Sequence, residues 1–341
     1  MNLWLKTSLL TLLIGLANVS HAVSNLSGTY DVGTLTPLER PAAFGDNLFL
    51  TEDDAAKLAN RIKAMAAKDA SASDPNRGAP EKGGQIGGYN FFWLDPGTAA
   101  INVDGKFRTS IITSPNNGQK PNMTPHGQNR LDGFLNNWRI VWRDPDPTKD
   151  KNDGTAWWVA SGNFGPYDHM EQRPLAERCI VGSRSTAGPP MLPNFYNNHK
   201  RIIQTNEHVM ILTEMNHDAR IIRLNSQHRP NSMKSWLGDS IGHWQGDTLV
   251  VKTKNFGPTP PLSGADENLV VTEHFTRTSD GGLMYRFKID NPSIWTSSWS
   301  GEYPWSPSDG KVYEYACHEG NYTLENVMRG ARVLEADIKP G

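Results

Sequence analysis

Residues 269–289 read LVVTEHFTRTSDGGLMYRFKI, and this stretch decides the fold. After the turn residues Ser279-Asp-Gly-Gly282, apolar side chains occupy every second position from Leu283 to Ile289. A period of two residues is typical of a β-strand with one face in the core. The preceding run, Leu269–Thr278, is of similar length, and turn residues between two such runs predict an antiparallel hairpin.

Similar patterns recur on both sides of this hairpin. Residues 99–112 predict a hairpin around Asp104-Gly105, and residues 243–253 predict another around Gly246-Asp247. Further strands are predicted at Ile202–Thr205, His208–Met215, Arg220–Leu224 and Val312–His318. Hairpins that repeat roughly every ten residues favour a mainly β fold. We expect an antiparallel curled sheet or an up-and-down, lipocalin-like barrel with a few peripheral helices.

Helical patterns occur in three places. Thr51 is followed by three acidic residues and suits an N-cap, and apolar residues recur at helical spacing through Lys68. Two shorter helices are predicted at residues 124–136 and 324–333. The glycines of residues 83–88 lack the strand–turn–helix context of a dinucleotide site. No organic cofactor is therefore predicted.

The N-terminus has the pattern of a secretory signal over residues 1–22. Lys6 provides the positive charge, residues 8–17 are apolar, and Ser20-His-Ala22 matches a small-x-small cleavage site. About ten apolar residues are too few to span a bilayer. We expect a periplasmic or secreted protein without a membrane span, the alternative being a buried N-terminal helix.

The remaining chain divides into two parts by composition. Residues 23–88 form an extended segment with a helix and a linker, and residues 89–341 form a β-rich domain. The 341 residues contain 34 Lys and Arg against 36 Asp and Glu. The charges nearly cancel, and Lys and Arg do not cluster into a basic stripe. Nucleic acid is therefore not an expected partner. The oligomeric state is left open.

Two cysteines, Cys179 and Cys317, allow two interpretations. In an oxidising compartment they can form a disulfide that closes a long loop. Alternatively, both are buried free thiols.

The densest group of ionisable residues is Glu214-Met-Asn-His217-Asp218-Ala-Arg220, between two predicted strands. One interpretation makes His217 a general acid or base, oriented by Asp218 or Glu214, with Arg220 holding an anion. The other makes the segment a turn in which Glu214 and Arg220 form a structural pair. Both remain open.

A second cluster, His318-Glu319, lies about a hundred residues further along the chain. The two residues are predicted to support catalysis, so both clusters should meet at one pocket. A divalent metal held by His217, His318 and a carboxylate is an alternative, although no complete ligand motif is present. Further residues are predicted to bind substrate because they could present polar groups or aromatic walls: Arg178, Tyr196, Asn197, Trp295, Trp299, Tyr315 and Asn321.

Several sequence motifs resemble those of a family of exported bacterial proteins of unassigned function. They include HDAR (217–220), HWQGDTLVV (243–251) and YEYACHEGNY (313–322). The likeness covers residues 83–332, with residues 136–165 as an insertion. It implies export, but it assigns no mechanism to any residue.

The leading hypothesis is therefore an enzyme without an organic cofactor. It would hydrolyse, eliminate or isomerise a small ring-bearing molecule by histidine and carboxylate chemistry. The second hypothesis is a lipocalin-like protein that binds an apolar small molecule inside a barrel. A third is an envelope structural or interaction protein, which would show an exposed apolar patch.

Overall fold

The fold is known from a computed structural model, which describes residues 24–70, 76, 78, 94–138 and 167–336. The signal-like residues 1–22 and nearly all of the insertion at 136–165 lie outside the described residues. The elements follow in this order: β1 (Gly28–Asp31), α1 (Glu52–Asp69), β2 (Asn102–Val103), β3 (Lys106–Phe107), β4 (Ile112–Ser114), α2 (Pro125–Trp138), β5 (His199–Gln204), β6 (His208–Thr213), β7 (Ala219–Leu224), β8 (Asp239–Gln245), β9 (Thr248–Lys254), β10 (Val270–Arg277), β11 (Leu283–Asp290), β12 (Trp299–Pro307) and α3 (Tyr322–Ala336).

The main sheet closes into a nine-stranded barrel. Its order is β1, β5 through β12, and then β1 again, with β4 paired to β12 outside the ring. A ring in which all neighbours are antiparallel needs an even number of strands, so nine strands require a parallel pair. That pair is β7–β8, and residues 225–238 return the chain to the starting end of β7. The predicted mainly β barrel with few helices is confirmed.

Alternating residues fill the barrel. On β11 the alternate residues Leu283, Tyr285, Phe287 and Ile289 are at most 2% exposed, as the period of two predicted. Tyr285, Tyr303 and Trp305 are fully buried, and their rings contact one another. Burying one large side chain stabilises the fold by roughly 1.5–3 kcal/mol, so this aromatic centre is a main source of stability.

A buried segment, Ser185–Leu192, enters the barrel interior, and we call it the plug. Every residue in it is buried. The hydroxyl of Tyr285 accepts a hydrogen bond from the Met191 amide at 2.9 Å, and the hydroxyl of Tyr303 donates to the Met191 carbonyl at 2.6 Å. The plug therefore occupies space that a lipocalin-like ligand would need.

Most of the helices and turns predicted from the local sequence are present in the structure. Thr51 caps α1 by accepting a hydrogen bond from the Asp54 amide at 3.1 Å. The turn between β2 and β3 uses Asp104 and Gly105, both with positive φ. The short helices after residues 124 and 321 are present as α2 and α3. Residues before position 89, separated from the β-rich domain in the sequence analysis, supply β1 and so complete the barrel.

The predicted strand at Val312–His318 is wrong. These residues pair with no other described strand and follow β12 as an irregular segment across the outside of the barrel. A disulfide between Cys179 and Cys317 holds them there, with an S–S distance of 1.98 Å and a Cα–Cα distance of 5.6 Å. The disulfide interpretation is thus confirmed. We call residues 308–317 the strap.

Candidate functional site

The candidate site lies on the outer wall of the barrel, where β5 and β6 are covered by the strap. Alternation along β5 turns Lys200 and Ile202 inward and His199 and Arg201 outward. Arg201 pairs with Leu212 of β6. These two side chains and His217 line a groove of about 490 Å³, whose other side is residues 311–314 of the strap. We call this space the outer groove.

His199 lies beside this groove, two residues before Arg201 on the same face of β5. Its Nε2 is 3.1 Å from Oγ of Ser308, at the start of the strap. Its Nδ1 is 3.8 Å from Oε2 of Glu214. The imidazole thus stands between a hydroxyl and a carboxylate. The His199 side chain is 23% exposed, which leaves one edge open to solvent.

Glu214 follows the last residue of β6 and is 6% exposed. Its Oε1 accepts a hydrogen bond from Nδ2 of Asn197 at 2.6 Å. Its buried Oε2 has no hydrogen-bond partner among the described residues. Because an unpaired buried carboxylate oxygen is costly, Oε2 favours a proton on the Nδ1 of His199 facing it.

Two further carboxylates surround His199. Asp31 of β1 is its direct partner across the strand pair. The backbone of Asp95 is held at both its groups: its N–H donates to the Phe195 carbonyl, and its carbonyl accepts from Nδ2 of Asn198. Burial raises the pKa of Asp95 to about 6, and the negative charge of Asp31 adds to the rise, while His199 opposes it. Perturbed carboxyl groups of this kind cluster at functional sites.

The inner face of the same strands carries a separate charged network. Arg220 donates two hydrogen bonds to the carboxylate of Glu273, at 2.9 and 3.1 Å, and Tyr285 donates a third at 2.8 Å. Arg220 and Glu273 are 3% and 0% exposed. The predicted pair of Glu214 with Arg220 is therefore wrong. Arg220 points into the barrel, whereas Glu214 lies beyond the end of β6 and faces Asn197.

Lys200 is fully buried on this inner face. Its Nζ donates to the carbonyl of Thr186 in the plug at 2.7 Å. Burial lowers the pKa of Lys200 to about 7, against the opposing effects of Asp218 and Glu214. Lys200 thus ties the plug to the barrel wall.

Asp218 and His217 occupy different sides of their turn. Asp218 Oδ2 accepts a hydrogen bond from the Gly182 amide at 2.7 Å, and burial raises the pKa of this carboxyl group. His217 is exposed, and its Nδ1 lies 3.2 Å from the Tyr315 carbonyl. The first cluster and the strap therefore meet at the outer groove, with His217 on its wall.

His318 and Glu319 lie just past the disulfide and are exposed. The structure brings the strap to His217, but neither His318 nor Glu319 is among the residues that line the outer groove. Among the described residues, no group of three or more His, Cys, Asp and Glu side chains is arranged to hold a metal ion.

The residues predicted to bind substrate are dispersed. Asn197 supports Glu214, and Tyr196 is its half-buried neighbour. Trp295 and Trp299 are each 1% exposed and pack edge to face in the core. The others surround the disulfide: Arg178 is half-buried beside it, Asn321 donates to the Glu177 carbonyl and lies 3.4 Å from the Cys179 sulfur, and Tyr315 contacts His217.

Sequence reasoning did not single out His199, Ser308, Asp95, Lys200 or Glu273. A signal existed for Glu273, which occupies a core-facing position of β10 between Val271 and Phe275. For His199 the signal was weak, because β5 has apolar residues on both faces. Ser308 lies outside the strands, where no periodicity operates.

No helix among the described residues has the length and apolar character needed to cross a membrane. Comparison of the chain with protein-family models and with curated proteins finds no match.

Proposed function

We propose that this protein is an exported hydrolase that acts on small, ring-bearing esters at His199, with the substrate's ring in the adjacent outer groove. The observation that carries the proposal is the position of His199 between Oε2 of Glu214 and the hydroxyl of Ser308. A histidine with a carboxylate oxygen 3.8 Å from one nitrogen and a hydroxyl within hydrogen-bond reach of the other has the arrangement of a general base. In this role His199 takes a proton from the attacking nucleophile.

Glu214 is the positioning residue in this proposal. Its Oε2, which accepts no hydrogen bond within the described part of the chain, faces Nδ1 and stabilises the positive imidazolium that forms when Nε2 accepts a proton. Asn197 fixes the other carboxylate oxygen, so the carboxylate plane cannot rotate away. Chemistry of this kind needs no organic cofactor.

The groove supports a partly apolar substrate, although Arg201, Lys311 and Glu314 add charged groups to its lining. Leu212 and Val312 provide apolar surface, and Tyr313 provides an aromatic ring that is 67% exposed. Arg220, expected to hold an anion, is already bound to Glu273. The carboxylates near His199 also disfavour a substrate that carries a negatively charged group beside this histidine.

Export is supported by two observations. The signal-like pattern of residues 1–22 directs a chain out of the cytoplasm, and the Cys179–Cys317 disulfide is typical of proteins in oxidising compartments. The periplasm is the compartment that fits both.

The test measures hydrolysis of 4-nitrophenyl benzoate, phenyl acetate and dihydrocoumarin. We expect His199→Ala to lower kcat/KM by about 10²–10⁴-fold, the usual contribution of a general base. The matched control is His208→Ala, since His208 is exposed at the far end of β6, away from the groove. Circular dichroism and thermal melting establish that both variants fold. Hydrolysis of none of the three esters, or a folded His199→Ala protein with wild-type kcat/KM, would contradict the proposal.

Lipocalin-like binding is compatible with a barrel, but the plug and the central aromatic rings fill its interior. A ligand there would have to displace hydrogen bonds from Met191 to two tyrosines. The outer groove therefore supports an enzyme better than the barrel interior supports a binding protein.

A further inference from the structure

The hydroxyl of Ser308 has a defined hydrogen-bond direction. Its Oγ accepts a hydrogen bond from the Gly310 amide at 3.0 Å. An amide N–H can only donate, so this contact leaves the hydroxyl proton available for another acceptor. The nearest ring nitrogen is Nε2 of His199, at 3.1 Å.

The imidazole of His199 is set up to accept that proton. Glu214 Oε2 faces Nδ1, which favours the tautomer with its proton on Nδ1 and a free lone pair on Nε2. Gly310 lies close to the ring, since a Cβ at this residue would be only 2.7 Å from Nε2. The backbone of the strap thus packs directly against the imidazole.

We infer that Ser308 is the nucleophile of this site and that the protein is a serine hydrolase working through an acyl-enzyme. The inference rests on the proposed function and adds the attacking atom to it. Nucleophile, base and orienting acid stand in the order Ser308, His199 and Glu214. A hydroxyl within hydrogen-bond reach of a base oriented by a third group is the arrangement that nucleophilic catalysis requires.

The reaction follows from these contacts. Ser308 Oγ attacks the ester carbonyl carbon while His199 Nε2 takes the hydroxyl proton. The bond from carbon to the alcohol oxygen breaks, and His199 returns the proton to the departing alcohol. Water then attacks the acyl-serine ester and gives a proton to His199, which passes it to Ser308 as the acid leaves. The sum is ester plus water giving acid plus alcohol.

The outer groove specifies the substrate class. Ser308 begins the strap, and three residues further Lys311, Val312 and Tyr313 form the groove wall opposite Leu212. A carbonyl held at Ser308 would therefore place its acyl group against this apolar and aromatic surface. We expect esters of aromatic acids to be preferred over acetates.

The experiment uses a fluorophosphonate probe, which reacts with activated serine hydroxyls. We expect the wild-type protein to be labelled, with the adduct on the peptide that contains Ser308. Ser308→Ala and His199→Ala should each abolish labelling. Ser306→Ala is the matched control, because Ser306 is an exposed serine two residues earlier and should leave labelling unchanged. Rapid quenching of wild-type protein with 4-nitrophenyl benzoate should also give a benzoyl adduct on Ser308.

The outcomes separate this inference from the proposed function. If hydrolysis depends on His199 while no adduct forms and folded Ser308→Ala keeps the wild-type rate, the nucleophile is water. The present inference then fails and the hydrolase proposal stands. If no ester is hydrolysed and no serine is labelled, both fail. An adduct on Ser308 that is lost in His199→Ala supports both.

Discussion

The charged network inside the barrel and the outer groove contain the same kinds of side chain but use them for different purposes. On the inner face, Glu273 receives hydrogen bonds from Arg220 and Tyr285 and is sealed from solvent. On the outer face, Glu214 faces a partly exposed histidine and keeps one oxygen to which no described residue donates a hydrogen bond. A charged pair whose carboxylate is fully bonded holds a structure in place. A histidine with a free lone pair, a neighbouring hydroxyl proton and access to solvent can act as a general base.

The largest expected effect comes from breaking the inner pair. Arg220→Met should lower the free energy of unfolding by about 3–5 kcal/mol, because it leaves the buried Glu273 carboxylate without its cation. Urea denaturation measures this loss. Labelling of Ser308 per folded molecule should persist, since the groove is on the other face.

The double variant Arg220→Met, Glu273→Leu is the control for this comparison. Removing both charges should recover much of the lost stability, since apolar residues of similar volume often replace buried ion pairs at little cost. Equal stability of Arg220→Met and the wild type would mean that the inner pair is not structural.

The disulfide should have the next largest effect. Replacing Cys179 and Cys317 by serine opens a link across a sequence separation of 138 residues. We expect a loss of about 2–4 kcal/mol in the free energy of unfolding. The KM for 4-nitrophenyl benzoate should rise as well, because the strap loses its anchor. Wild-type protein treated with dithiothreitol should reproduce both changes, whereas the serine variant should not respond to it.

The smallest effect concerns Asp95, beside the groove. Its pKa is raised to about 6 in the folded protein, so the native state binds a proton more readily than the unfolded chain between about pH 4 and 6. The free energy of unfolding therefore falls as pH rises through this window. Above pH 6 the full destabilisation by the charged Asp95 remains. Asp95→Asn should be more stable than the wild type at pH 7 by about 1 kcal/mol, allowing for solvent screening.

Melting temperatures measured from pH 4 to pH 8 test this prediction. The advantage of Asp95→Asn should shrink as pH falls towards 4, where the carboxyl group of the folded wild type is protonated and its charge no longer opposes folding. A constant difference across the range would mean that the charge of Asp95 is not the cause.

Local pattern predicted the strands well and the site only in part. The hairpin of β10 and β11, the turn at Asp104-Gly105 and the cap at Thr51 depend on neighbours in sequence, and all three are confirmed. Glu214 and Asn197 were identified as candidate site residues, and they do lie together. His199 and Ser308, which complete the set, are 109 residues apart in the chain.

The sequence by itself determined that the chain is a β protein, because alternation and turn chemistry operate over a few residues. It also named the two cysteines that could pair. Only the tertiary structure decided which face of β5 is inside, since this strand offers apolar residues to both faces. Closure of the barrel by β1 turns Lys200 inward and His199 outward. The strap then covers His199 and supplies Ser308, a contact that no local pattern encodes because distant segments meet only after the barrel has closed.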